Sequence, residues 1–225
     1  MKQAFWSNPW FFVPALLFLN IGLGLLLFVP QGHEIISLNP LRTEPLNTIF
    51  RWSTRLGEGP VFIVIGLVSM LWRYRYAVLL ALAGLIIIPT SHLLKEQMRK
   101  ERPVAFFAGA GLKDAVVLVP KVDVHSGRTS FPSGHTMAAF GLFGVIALLG
   151  GGRMPWLGFT CALAATLAGI SRIFLVQHFL PDVLAGAFVG LFITGLVWEV
   201  NVRWLQRWKG LDRGILSKRA ERHTP

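Results

Sequence analysis

The run Trp10–Pro30 contains no charged side chain, and about 20 apolar residues in succession are what a helix needs to cross a bilayer. It is too long for the core of a secretory signal and no small-residue cleavage site follows it, so it is expected to be a retained span. Comparable runs follow at Tyr76–Leu94, Thr136–Gly152, Met154–Ile170 and Val183–Trp204, the last carrying Glu199 and Arg203 near its end. Pro60–Trp72, bracketed by Glu58 and Arg73, is shorter. It either extends back toward Phe50 or crosses tilted or shortened. Crossing is favoured because the polar motifs described below would otherwise be divided between two faces. Only 15% of the residues are charged and 53% are hydrophobic, where a soluble domain carries about a quarter charged. The expectation is an all-α, polytopic membrane helix bundle of about six transmembrane helices, forming one membrane-embedded domain over residues 1–225.

The tryptophans agree with these spans. Trp6, Trp10, Trp52, Trp72, Trp156, Trp198, Trp204 and Trp208 are all those in the chain, and nearly all fall close to a span end, where indole sits at headgroup level. Six spans place both termini on one side and the loops Gln31–Gly59, Lys95–His135 and Ser171–Asp182 on the other. Lysine and arginine divide evenly between the sides. The dense basic tail over 205–225 (Arg207, Lys209, Arg213, Lys218, Arg219, Arg222) favours cytoplasmic termini, leaving the loops on the periplasmic or extracellular face. A net charge of +11 points to anionic partners. The bilayer and a phosphorylated lipid are expected rather than nucleic acid, because most bases sit between or just after apolar runs. The single cysteine, Cys161, excludes an intrachain disulfide and is expected to be a packed thiol.

Polar residues at the loop-side surface fall into three groups: Lys95 with Arg102–Pro103; Pro132–Ser133–Gly134–His135; and Ser171–Arg172, His178 and Asp182. Each alone has an ordinary explanation. Lys95 and Arg102 could snorkel at an interface, Ser133 could cap a helix, and His178 and Asp182, four apart, could form an ion pair on one helical face. Together they place three cations, a helix start with free amides, two histidines and a carboxylate on one membrane face, which is what a phosphate requires. Gly134 lets backbone approach a ligand closely.

These groups resemble the three-part signature of the type-2 phosphatidic acid phosphatase family, which is related to bacterial phosphatidylglycerophosphate phosphatases and vanadium haloperoxidases. Its pattern, K-x6-RP, PSGH and SR-x5-H-x3-D, is matched at every fixed residue between Lys95 and Asp182. The resemblance implies an acid phosphatase/vanadium haloperoxidase-like core. It also implies a metal-independent lipid phosphate phosphatase with no cofactor, in which His178 forms a phosphohistidine. Asp182 would hold the opposite ring N–H of His178, and His135 would protonate the leaving oxygen and then activate water. Lys95, Arg102, Ser133, Gly134 and Arg172 would bind the phosphate oxygens. Substrate classes implied are undecaprenyl pyrophosphate, phosphatidylglycerophosphate, phosphatidic acid and lipid A phosphates.

Three other readings compete with this one. A metal site built from His135, His178 and Asp182 lacks a recognised ligand spacing and would surround the ion with cations. A lipid-to-lipid phosphotransferase would use the same residues. A transporter or scaffold without catalysis would leave the motifs incidental. His33, His92, His125 and His223 match no motif. The segment Val104–Phe131 is either a lid above the site or a connecting loop, and Gly141/Gly144 with Gly186/Gly190 are expected to allow close helix packing.

Overall fold

The computed structural model describes residues 7–216; Trp6, His223 and the tail residues Lys218, Arg219 and Arg222 lie outside them. Helices account for all the regular structure of the described residues, as a lipid-spanning chain requires, because a helix satisfies its own backbone polar groups. In chain order they are α1 (Pro9–Phe28), α2 (His33–Ile36), α3 (Glu44–Arg55), α4 (Gly59–Ser69), α5 (Tyr74–Met98), α6 (Pro103–Gly109), α7 (Gly134–Gly150), α8 (Pro155–Phe174) and α9 (Leu180–Val200).

Four of them, α1, α5, α8 and α9, are long and apolar enough to cross a membrane, and α4 and α7 are shorter apolar helices. The six expected runs thus appear as six apolar helices with shifted ends. The shifts matter for the site. α5 continues past Leu94, so Lys95 stands in its last turn; α8 continues past Ile170, so Arg172 does too; α9 starts before Val183, so Asp182 lies in its first turn. The Pro60–Trp72 run resolves as the shortened form. Residues 56–58 separate α4 from α3, so no helix extends back to Phe50. Instead α3 packs against α8, stacking Phe50 on Phe174 with ring centroids 4.2 Å apart while Trp52 stays exposed.

α7 is the central element, packed by α5, α8 and α9. Its length of 17 residues is short for a span, but it faces protein over most of its circumference. Small residues make this possible. A Cβ on Gly190 would lie 2.6 Å from the Met137 carbonyl oxygen, one on Gly186 2.5 Å from the Ser133 carbonyl oxygen, one on Gly144 2.5 Å from Thr194 Oγ1, and one on Gly141 2.4 Å from Ile87 Cδ1. The paired glycines therefore serve packing within this chain, bringing α9 almost into backbone contact with α7 and letting the Ile87 side chain of α5 sit against the α7 backbone. The outer faces of α1, α4 and α9 present Leu17, Leu27, Phe28, Ile63, Leu67 and Phe188 outward, a belt of apolar surface suited to acyl chains.

The two ends of the bundle differ. Asn8 Nδ2 donates to the carbonyls of Ala147 and Gly151. Backbone bonds also join Tyr74 to Arg213 and Ile215 to Met70. The start of α1, the α4–α5 and α7–α8 turns and the tail therefore share one end. That end carries Trp10, Trp72, Trp156, Trp198, Trp204 and Trp208; of the described tryptophans only Trp52 lies at the other. The aromatic belt is one-sided.

Gly190→Ala is expected to lower the thermal midpoint of the detergent-solubilised protein, overpacking of this kind costing about 1–3 kcal/mol. Gly66→Ala, whose new Cβ meets nothing within 4 Å, should leave it unchanged or slightly raised. Equal midpoints for the two variants would contradict the close-approach account.

Candidate active site

The Trp-poor end gathers the polar motifs, and helix ends position nearly all of them. Ser133 is the N-cap of α7, its Oγ accepting from the Thr136 amide at 3.4 Å and the Thr136 hydroxyl at 2.8 Å. The first-turn amides of α7 point into the same region, an arrangement that favours an anion. The Ser133 N–H donates to the Asp182 carbonyl at 2.9 Å, which locks the start of α7 to the start of α9. Gly134 also has a packing part. A Cβ there would lie 2.9 Å from Ser91 Oγ and 3.5 Å from Lys95 Nζ. What the missing side chain admits is α5, and with it the Lys95 ammonium, at the N-terminus of α7.

Arg172 is 6% exposed. Its Nη1 donates to Thr54 Oγ1 at 2.5 Å, and its Nε is buried without a partner. A buried guanidinium N–H left unpaired is costly, and an anion bound here would supply its acceptor. The Arg172 carbonyl accepts from the Gln177 and His178 amides at 2.9 and 3.1 Å, so the chain reverses tightly after α8. Val176 holds φ +58° in that reversal, a left-handed conformation rare for a β-branched residue. The turn returns His178 to the side of Arg172.

His178 is 1% exposed and stands before α9, not on it. Its pairing with Asp182 is therefore a helix-cap geometry and not the pair on one helical face that the spacing alone would allow. Asp182 Oδ2 accepts from the Phe179 N–H at 3.0 Å, as the third helical residue of a cap does. The same oxygen lies 3.4 Å from His178 Nδ1 and accepts from Ser130 Oγ at 2.5 Å. Because the carboxylate only accepts, Nδ1 carries the proton and Nε2 keeps its lone pair. Burial drives the His178 pKa down, to about 4, against the opposing pull of Asp182. Burial thus favours the neutral imidazole.

Arg102, the residue before α6, is 7% exposed and bonds Thr129 Oγ1, the Thr129 carbonyl and the Gln177 carbonyl at 3.2, 3.3 and 3.3 Å. The His135 ring lies within reach of the charges of Lys95, Arg102 and Arg172 and of the His178 ring, His178 within reach of Arg102, Arg172 and Asp182, and Glu58 faces Arg172. All eight residues singled out in the sequence are thus brought to one end of the bundle. His33, His92 and His125 are exposed, and Cys161 is buried. Among the described residues no group of three His, Cys, Asp or Glu side chains is arranged to hold a metal ion.

The structure adds residues that the motifs omit. Ser130 is fully buried and bridges Asp182 and His178, its Oγ 3.5 Å from His178 Nδ1. Thr54 holds Arg172, and Gly57 seats the α3–α4 corner against the His135 carbonyl. Ser130 was findable by its closeness to Pro132–His135. Nothing local marks Thr54, which meets Arg172 only through the packing of α3 on α8. The segment after α6 is docked, not a free connector. Gln177 Nε2 donates to the Asp123 carbonyl, Arg51 to the Pro120 carbonyl and Asn39 Nδ2 to the Ala115 carbonyl. Phe106 meets Phe179 edge to face at 5.4 Å.

The PAP2 superfamily model matches residues 71–206, more than half of the chain. The chain belongs to the PAP2 superfamily. Its similarity to phosphatidylglycerophosphatase B of Bacillus subtilis (strain 168) is 31% identity over 172 residues, 70% of this chain and 76% of that protein. A stretch of 72 residues is 42% identical to lipid A 1-phosphatase of Porphyromonas gingivalis, covering 32% of this chain but only 16% of the relative. Among solved structures, that of Aquifex aeolicus LpxE superposes with a TM-score of 0.62 at 27% identity, over 73% of this chain and 92% of that one. The PAP2-type phosphatidylglycerolphosphate phosphatase of Bacillus subtilis does so at 0.55 and 24% identity, over 84% and 96%, a likeness of fold. This PAP2 protein is a multi-pass membrane protein, all-helical like those neighbours.

In a histidine-labelled sample without substrate, the His178 ring resonance should stay in its neutral form from pH 7.5 down to 5.5. A depressed pKa means protonation is delayed until the pH falls toward 4. A midpoint near the ordinary value of about 6.5 would contradict the burial account.

Proposed function

We propose that this PAP2 protein hydrolyses a phosphate monoester or pyrophosphate on a membrane lipid through a phosphohistidine at His178. The observation that carries the reading is the buried Asp182–His178 pair, with Nδ1 held and Nε2 left free among Lys95, Arg102, Arg172 and His135. Nε2 attacks phosphorus while the bond to the lipid oxygen breaks, and His135 gives that oxygen its proton. Water then attacks phosphorus, His135 takes its proton, and the P–N bond breaks, releasing inorganic phosphate and returning the electron pair to His178 Nε2. The three cations and the α7 amides offset charge on the non-bridging oxygens. Asp182 and Ser130 keep the imidazole oriented and stabilise it as it becomes cationic.

The relatives named above act on phosphatidylglycerophosphate and lipid A by their names. Phosphatidic acid and undecaprenyl pyrophosphate offer the same terminal phosphate chemistry. The site lies at the bundle end opposite the tail, and the tail's Arg203, Arg207, Lys209 and Arg213 favour the cytoplasm. The basic tail supports chemistry on the periplasmic or extracellular face. A reporter fused to the C-terminus that is active only outside the cell would reverse the orientation.

Free phosphate release by the solubilised protein across a panel of those four lipids tests the reaction. Loss of phosphate from one lipid without free phosphate, dependent on a second lipid that becomes phosphorylated, would point to phosphotransfer instead. His178→Ala should abolish release and the trapped, acid-labile phosphoenzyme, and full activity in that variant would sink the mechanism. EDTA should have little effect. Ser130→Ala removes a hydrogen bond to a charged group, worth about 1.5–3 kcal/mol, so kcat should fall about tenfold to a hundredfold with KM little changed. Asp182→Asn should cost more, because the imidazole loses its counter-charge and its fixed tautomer.

A further inference from the structure

A second polar site lies at the tryptophan-rich end. Arg75 and Lys95 belong to the same helix, α5, and the residues between them span about 30 Å at 1.5 Å per residue, the thickness of a bilayer's hydrocarbon core. The cavity beside Arg75 therefore sits at the headgroup level of the leaflet opposite the active site. Its volume is about 400 Å³, and its lining includes Arg73, Arg75, Trp198, Asn201, Gln206 and Asp212.

The cavity is a built feature. Arg75, 6% exposed, donates to both Asp212 oxygens at 2.7 and 3.0 Å, to Asn201 Oδ1 at 3.1 Å and to the Trp208 carbonyl at 3.3 Å. α9 continues past Val200 as a π-helical turn, Asn201–Leu205, at whose first residue stands the side chain that meets Arg75. Such turns often mark functional positions. The tail then folds back on the α4–α5 corner, Arg213 accepting from the Tyr74 amide at 2.9 Å and Met70 from the Ile215 amide at 3.1 Å. Gly214 passes so close to the Trp72 carbonyl that a Cβ would lie 2.2 Å from its oxygen.

Within this frame Arg75 is matched by Asp212. Arg73 is the second cation of the lining, exposed, with its guanidinium over the Tyr76 ring at 5.7 Å, and it leaves the lining one positive charge in excess. Trp72, Trp204 and Trp208, 58%, 61% and 63% exposed, ring the same level, where indole meets headgroups. Among the described residues no histidine or cysteine lines the cavity, so it suits binding without phosphoryl transfer.

We propose that this cavity binds the phosphate group of an anionic phospholipid in the leaflet opposite the active site. Arg73 supplies the charge-assisted donor, and the bound lipid clamps the start of α5, the end of α9 and the returning tail together. A ligand that binds only the folded state raises its thermal midpoint. In the full-length protein in detergent, added phosphatidylglycerol should raise the midpoint. Phosphatidylcholine, which has the same phosphodiester but a compensating cation, should raise it less. Arg73→Gln should lose the phosphatidylglycerol-dependent rise while keeping wild-type turnover of a short-chain phosphate ester. Arg207→Gln, altered at a guanidinium that lies over Trp204 outside the cavity lining, should keep the rise. An undiminished rise in Arg73→Gln, or equal losses in both variants, would reduce the effect to general surface attraction and overturn the site. Equal rises with the two lipids would overturn the anionic assignment. An Arg73-dependent rise produced as fully by inorganic phosphate would assign the site to a free anion and overturn the lipid.

Discussion

The carboxylate of Asp182, buried at the first turn of α9, is the interaction on which the active end depends. One of its oxygens takes the Phe179 amide, the Ser130 hydroxyl and the His178 ring, while its backbone carbonyl takes the amide of Ser133. A single residue thereby caps α9, orients the imidazole and ties α9 to the N-cap of α7. An ionised carboxylate taken out of water is costly unless hydrogen bonds and opposite charge offset that cost. Here both are present, and the same cations that stabilise Asp182 form the surroundings an incoming phosphate would meet.

The apolar body of the protein makes that convergence possible. Lys95, Arg172 and Asp182 occupy terminal turns of α5, α8 and α9, and Ser133 caps α7. Their separations are set by how closely the helices pack. Gly141, Gly144, Gly186 and Gly190 remove the side chains that would hold those helices apart. Gly134 and Gly57 act likewise at the site, admitting Lys95 to the start of α7 and the α3–α4 corner to His135. Catalytic geometry and membrane packing share one cause: small residues at helix contacts where no hydrophobic driving force separates protein from lipid.

The bundle is polarised between a chemical end and an anchoring end. Cations cluster at both, but they are handled differently. At the chemical end Arg172 keeps a buried N–H without a partner. At the anchoring end Arg75 is fully engaged by Asp212, Asn201 and a carbonyl, surrounded by exposed indoles. A guanidinium with an unpaired N–H and one consumed in holding a tail are indistinguishable in composition; only their partners tell them apart.

Much of this was legible in the sequence. Uncharged runs of bilayer length dictate apolar helices, since no other open structure satisfies the backbone in lipid, and Lys95, Arg102, Ser133, His135, Arg172, His178 and Asp182 announce themselves by type and spacing. Helix ends were not legible within three or four residues, because apolar periodicity does not register where a polar last turn such as that of Lys95 or Arg172 continues. Nor was the capped, non-helical pairing of His178 with Asp182, which depends on a left-handed Val176 that no propensity favours. Thr54 and Ser130 became part of the site only through tertiary contact, as did the packing of Gly134 against α5 and the cavity beside Arg75. These are distances between segments remote in the chain, decided by how side chains fill the space between helices rather than by any local preference.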